Sequence, residues 1–307
     1  MLFRLPYLAW WYIRSLFGRK TPLQSVIFIL DQCNLRCKHC SVYAIATPRI
    51  KTYAQIREEL LYCYNAGSRF VDFEGGELYL WKDGAYRIDD VIDLAHEIGF
   101  WSATITTNAQ ISFVGSHADQ IWVSMDGVGA VHDNIRGEGV FHRLERHIAE
   151  YRQQGGRKPL GVNMVINNSN VHDVVNALEY VRKSPYIDSI SLNFHTPFEE
   201  TKDLFLDPDC RNETIDTLIA YKQKGYPIMN TIPGLKAMKT VNGATRCGNN
   251  YCWITNFIFS DGSRAPKCMG YVHHVCDRCG FAMGGEMFAL YHLDPRTIMA
   301  GLKLRTK

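Results

Sequence analysis

The chain has 307 residues, of which 46% are hydrophobic and 21% charged, and a formal net charge of +3. That length buries a full-size core and fits one large domain with an appendage as well as two domains, while so small a charge excess gives no reason to make nucleic acid the main partner. Eight of the ten cysteines fall within residues 33–40 and 247–279, a distribution that argues against a disulfide framework and for metal binding.

In chain order, the first seventeen residues (MLFRLPYLAWWYIRSLF) are apolar and aromatic, but Arg4, Pro6 and Arg14 interrupt them, so no stretch reaches the ~20 apolar residues of a spanning helix. No cleavable signal is apparent, and the expected compartment is the cytoplasm, where thiols stay reduced. With Arg19 and Lys20 following, the segment reads either as a helix packed on the domain or as an amphipathic helix making peripheral membrane contact. From Ser25 short β-rich runs then alternate with amphipathic helical stretches. Strands are predicted at residues 25–30 (SVIFIL), 69–73, 101–106, 120–125, 160–166 and 189–194. Helices are predicted at residues 53–65, 88–98, 141–153, 171–182 and 213–224. Six βα units are too few to close an eight-stranded barrel, so the fold class expected is α/β, a partial (β/α)6 TIM-like barrel with chemistry at the C-terminal strand ends. After about Tyr226 the rhythm stops. The remainder is a small Cys-rich extension with a hairpin of residues 253–259 and 264–269 around Asp261-Gly262. The domains expected are therefore 1–24, an aromatic-basic helix; 25–225, the barrel; and 226–307, the extension.

Directly after the first strand come Cys33, Cys37 and Cys40, with three and then two residues between them. On a cubane [4Fe-4S] cluster, three thiolates leave one iron without a protein ligand, open to a small chelating molecule. This spacing after a first strand closely resembles the signature of the radical S-adenosylmethionine (SAM) superfamily, and with the later motifs the resemblance covers about residues 25–225. It implies that Cys33, Cys37 and Cys40 hold the catalytic cluster, that SAM chelates the open iron, and that one electron cleaves SAM to a 5'-deoxyadenosyl radical. The other reading of the three thiols is a zinc site or buried structural cysteines, against which stands the lack of a fourth ligand.

Gly75-Gly76-Glu77, at the end of the second strand, is similar to the family's Gly-Gly-Glu motif; the glycines let backbone approach a ligand and the carboxylate answers the SAM ammonium. Leu78 stands where the family usually has proline. Thr107 and Asn108 after the third strand, and Ser124 and Asp126 at the fourth, are like polar strand ends that contact SAM in relatives, although such residues also cap helices and turns. The stretch from His132 to Gly137 also fits the family pattern, with Arg136 implied as a partner of the SAM carboxylate or else a surface salt bridge. Asn163 joins the SAM-binding candidates, and Asn193 to His195 end a further strand, where the lone histidine reads more readily as structural.

Cys247, Cys252, Cys268, Cys276 and Cys279 resemble a shortened auxiliary-cluster (SPASM or twitch) domain. Five residues rather than four follow Gly262 before Cys268, and a single Cys-x-x-Cys remains, which implies one auxiliary [4Fe-4S] cluster rather than two. Cys252, Cys268, Cys276 and Cys279 are the favoured ligands, Cys247 competes with them, and zinc on the same thiolates stays open. Cys63 reads as a core hydrophobe, and Cys210 has no evident partner. The implied partners are SAM, an external reductant such as flavodoxin or ferredoxin, and a substrate that is a peptide or else lipid-like, the alternative being lipid or cofactor modification as in adenosylhopane-forming relatives. A non-catalytic zinc or iron-sulfur regulator is the rival outside the enzyme class.

Overall fold

The computed structural model describes residues 4–40, 48–248, 250–265 and 267–304; the first three residues of the aromatic segment, and Pro266 in the second strand of the expected hairpin, lie outside them. The parallel strands are β1 Gln24–Leu30, β2 Phe70–Gly75, β3 Ser102–Thr107, β4 Gln120–Ser124, β5 Leu160–Ile166 and β6 Ser189–Phe194. Between them run α2 Tyr53–Ala66, α3 Ile88–Ile98, α4 Ala130–Arg136, α5 Val140–Gln153 and α6 Val174–Lys183; α1 Leu5–Leu16 precedes β1, and α7 Pro208–Gln223 follows β6.

Every β1 to β6 neighbour pairs in parallel. The partial α/β barrel expected from the alternation is therefore present, and the sheet does not close. Along each strand one set of side chains is buried under the helices, with Ile27, Phe73, Ile105, Val123, Val162 and Leu192 all fully buried. The alternate set, including Glu74, Thr106, Ser124, Asn163 and Ser191, is only half-buried and faces the opposite side, which makes the concave face polar.

Three features differ from expectation. The sheet has eight strands, because β9 Thr255–Ile258 pairs in parallel with β1 and β10 Arg264–Ala265 pairs antiparallel with β9, so the Cys-rich segment adds to the barrel sheet at its free edge. The hairpin turns at Asp261-Gly262 as expected, but its second strand stops at Ala265 and the backbone from Met269 to Val272 is a helical turn, α9. Finally α7 starts five residues before the expected Glu213, because Pro208 takes the first turn and the Asp207 carboxylate caps the amides of Asp209 and Cys210. The chain is completed by α8 Ile232–Ala237, the short strands β7 Thr240–Val241 and β8 Ala244–Thr245, α10 Ala282–Tyr291 and α11 Pro295–Leu304.

Helix α1 covers the N-terminal ends of the strands. Trp11 is buried with Leu23, just before β1, and Ile254, just before β9, and its indole donates to the Thr21 carbonyl at 2.8 Å. The opposite face leaves Leu5, Trp10, Ile13, Leu16 and Phe17 exposed. Among the described residues no helix is long and apolar enough to cross a membrane.

Candidate active site

The cysteine loop leaves the C-terminal end of β1 and is held by the Gly-Gly-Glu turn at the end of β2. The amide of Gly76 donates to the Leu30 carbonyl at 2.8 Å, and that of Glu77 to the Gln32 carbonyl at 2.9 Å. A Cβ on Gly76 would lie 2.0 Å from the Gln32 carbonyl oxygen, and one on Gly75, whose φ is +150°, 2.4 Å from that of Leu30. The two glycines thus admit the backbone that carries the thiols, a requirement that exists before any ligand arrives.

Glu77 is fully buried. Its carboxylate accepts from Thr107 Oγ1 at 2.8 Å, from the Asn108 amide at 2.8 Å and from the Tyr79 amide at 3.2 Å, tying the ends of β2 and β3 together. Burial raises its pKa against the pull of those donors. Asn108 reaches from β3 to the loop, donating to Asn34 Oδ1 at 2.7 Å and to Cys33 Sγ at 3.6 Å; the Leu35 amide reaches the same sulfur at 3.4 Å.

Arg136, at the end of α4, puts Nη1 3.7 Å from Cys37 Sγ while Nε donates to Asp126 Oδ2 at 2.6 Å. The pair is buried, with relative side-chain exposures of 9% and 0%, so the surface-bridge alternative for Arg136 does not describe it. Asp126 also accepts from the Val165 amide at 2.9 Å, and its own amide donates to His132 Nδ1 at 3.1 Å. Burial works to raise the Asp126 carboxyl, but the adjacent guanidinium holds it down to about 2. Ser124 and Asn163 are register partners across β4 and β5 on the concave face. His195 is buried, with Nε2 2.9 Å from the Thr201 carbonyl, in keeping with a structural role. Asn193 accepts from the Ala282 amide at 2.8 Å and so anchors α10.

Burial pushes the Cys37 thiol up to about 11 and raises that of Cys33, with Arg136 pulling both the other way. Such thiols ionise when a metal takes the proton's place, and N–H donors on the sulfurs then stabilise the bound thiolates. Among the described residues no three His, Cys, Asp or Glu side chains converge as tightly as one metal ion demands. The three thiols share one loop, and N–H donors reach the sulfurs of Cys33 and Cys37, a donor chemistry that suits thiolate ligands of a cluster.

At the second cysteine group, Cys247, Cys252, Cys268 and Cys279 are buried and Cys276 partly so. The thiols lie near enough to raise one another's pKa, and burial pushes Cys252 up to about 12. Gly280, next to Cys279, pairs with the end of β6: the Phe194 amide donates to its carbonyl at 2.8 Å, and its own amide to Thr196 Oγ1 at 3.0 Å. Cys279 therefore lies beside the C-terminal end of β6, whereas Cys252 lies shortly before the first residue of β9. Cys63 is fully buried among core residues.

Sequence reasoning missed the strut role of Asn34, the Asp126 partner of Arg136, and Arg211, a buried cation near Cys247 and Cys279. It also assigned no role to Glu74, which accepts from Thr106 Oγ1 at 2.8 Å on the concave face and is pushed by burial up to about 7. Period-two alternation from the buried Phe73 was the signal that could have placed Glu74 there.

The family model described as Radical SAM superfamily matches residues 27–181, and the chain belongs to that superfamily. Membership of the superfamily implies a [4Fe-4S] cluster and SAM. A protein described as a probable GTP 3',8-cyclase of Methanococcus aeolicus is 25% identical over 166 residues, 51% of this chain and 54% of that protein. Among solved structures, Streptococcus suis SuiB bound to its precursor peptide SuiA superposes with a TM-score of 0.64 at 16% identity, covering 91% of this chain and 67% of that one. Native anSMEcpe with bound AdoMet and the Cp18Cys peptide gives 0.62 at 17% identity, covering 93% and 84%. The chain spans about half of the curated relative and 64% of the SAM-bound SuiB structure. At such identities the solved structures speak for the fold.

Proposed function

We propose that Cys33, Cys37 and Cys40 hold the catalytic cluster, that SAM is cleaved there reductively, and that the resulting radical chemistry modifies a peptide. The cluster, once bound, supplies the electron that breaks a sulfur–carbon bond of SAM. The protein's part is to keep the loop rigid through Gly75, Gly76 and Glu77, the last held by Thr107, to place N–H donors of Asn108 and Arg136 on two of the three sulfurs, with Asp126 holding Arg136, and to line the adjoining concave face with Ser124 and Asn163 for SAM. The donors on Cys33 and Cys37 are the observation that carries this reading, because they stabilise thiolates rather than thiols. An electron must come from outside, from a flavodoxin or ferredoxin in a reducing cytoplasm.

The second cysteine group is proposed to bind one auxiliary [4Fe-4S] cluster, with Cys252, Cys268, Cys276 and Cys279 as ligands and Cys247 in competition, in a small C-terminal SPASM-like unit of residues 226–307. Peptide is preferred because the fold matches structures holding peptides, SuiB and anSMEcpe. A lipid-like substrate has one observation in its favour, the exposed apolar face of α1 beside Arg14, Arg19 and Lys20. That face, however, lies at the N-terminal end of strands that are about 20 Å long at ~3.3 Å per residue, away from the thiols.

Anaerobically reconstituted protein given dithionite and SAM is expected to release 5'-deoxyadenosine, and Cys37→Ala to abolish release; an active Cys37→Ala, or a parent holding only zinc, overturns the reading. Short cysteine-containing peptides should speed the release and gain or lose mass. Stimulation by lipid vesicles alone would transfer the assignment to lipid.

A further inference from the structure

Arg211 lies on α7 with 2% of its surface exposed. Its Nη2 donates to the Met238 carbonyl at 2.7 Å, its guanidinium sits 4.9 Å from the centre of the Phe194 ring, and Nε has no partner among the described residues. No carboxylate pairs with it there, whereas the other buried arginine, Arg136, has Asp126 at 2.6 Å. A buried cation without a counter-charge is strongly disfavoured, which is why such groups are almost always paired.

The chain around Arg211 shows where the missing charge belongs. Phe194, under the guanidinium, pairs through its backbone with Gly280, next to Cys279. Met238, which accepts from Nη2, follows Ala237, whose carbonyl takes the Cys247 amide at 2.9 Å. Through these two links Arg211 faces the stretches of chain that carry Cys279 and Cys247. Neutral thiols would not offset the guanidinium, whereas thiolates around an iron–sulfur core carry net negative charge. Lys267, next to Cys268 in the chain, is only partly buried.

We propose that Arg211 is the built-in counter-charge of the second cysteine group, a positioning residue that holds an anionic cluster there and raises its reduction potential. This rests on the auxiliary-cluster reading above. A fixed positive charge in a low-dielectric surround favours the more negative, reduced form, so removing it makes reduction harder.

The test uses the full chain carrying Cys33→Ala, Cys37→Ala and Cys40→Ala together, so that any iron reports on the second group alone. After anaerobic reconstitution, iron content and an EPR-monitored redox titration are compared for Arg211→Met and Arg211→Lys, with folding checked by circular dichroism. Arg211→Met is expected to lower the one-electron reduction equilibrium constant at least tenfold, about 59 mV, or to lose its iron on desalting. Arg211→Lys is expected to keep both iron and potential. A folded Arg211→Met with iron and potential equal to the parent overturns the proposal and leaves the auxiliary cluster standing; equal losses in Met and Lys variants also overturn it, since charge would then not be what matters. A triple-alanine parent that takes up no iron overturns the auxiliary-cluster reading itself.

Discussion

The Asp126–Arg136 pair gives the sharpest test of the site. Asp126→Asn keeps the shape and an oxygen for the Val165 amide, which lies 2.9 Å from Oδ1, but removes the charge opposite Arg136 Nε at 2.6 Å. Two routes give the magnitude. Lowering a carboxyl from 3.8 to about 2 corresponds to about 2 kcal/mol at neutral pH, and orphaning the partner of a buried pair typically costs about 3–5 kcal/mol. With a urea slope of about 3 kcal/mol per M for a chain of this size, the midpoint should fall by about 0.7–1.7 M. Because the folded carboxyl is depressed, its contribution is complete above the ordinary pKa and disappears as pH falls through about 2. The gap between parent and variant should therefore be widest near neutrality and narrow in acid. Adding Arg136→Met should recover part of the loss, since an emptied pair is less costly than an orphaned charge. A single variant within about 0.5 kcal/mol of the parent, or a strictly additive double variant, would refute the reasoning.

Gly76→Ala forces a Cβ to 2.0 Å from the Gln32 carbonyl oxygen; it should cost about 2–3 kcal/mol and lower iron uptake at the first group, as measured by iron assay after reconstitution. Glu286 accepts from the amide and hydroxyl of Thr231 and is pushed by burial up to about 7. Folded protein thus retains a proton that the unfolded chain releases, and stability should fall between about pH 4.5 and 7, by at most about 3 kcal/mol. Glu286→Gln should flatten that slope in urea midpoints, and an unchanged slope would remove the argument. Truncating residues 1–17 should abolish sedimentation with anionic vesicles if α1 makes membrane contact, and should also lower the melting temperature, because Trp11 is lost from its seat against Leu23 and Ile254.

Periodicity made the alternating barrel legible. The apolar run SVIFIL reads as a buried strand, and Cys33, Cys37 and Cys40 shortly after it fall at the strand's C-terminal end. Local spacing also marked the Gly-Gly-Glu turn and the Asp261-Gly262 hairpin. The helix start at Pro208 was equally local, with Asp207 as its cap, and was there to be read.

Other features depend on contacts between distant parts of the chain. β9 is four residues long and joins β1 across more than two hundred positions, a choice made by the unfilled sheet edge and not by the residues of β9. The exchange of a surface bridge for a buried Asp126–Arg136 pair against Cys37, and the seating of Arg211 beside Cys247 and Cys279, are likewise settled by packing. Spacing and period act over a few residues and determined the elements and the thiol loop; burial and charge pairing act through space, and only the folded chain could decide which side chains neutralise one another.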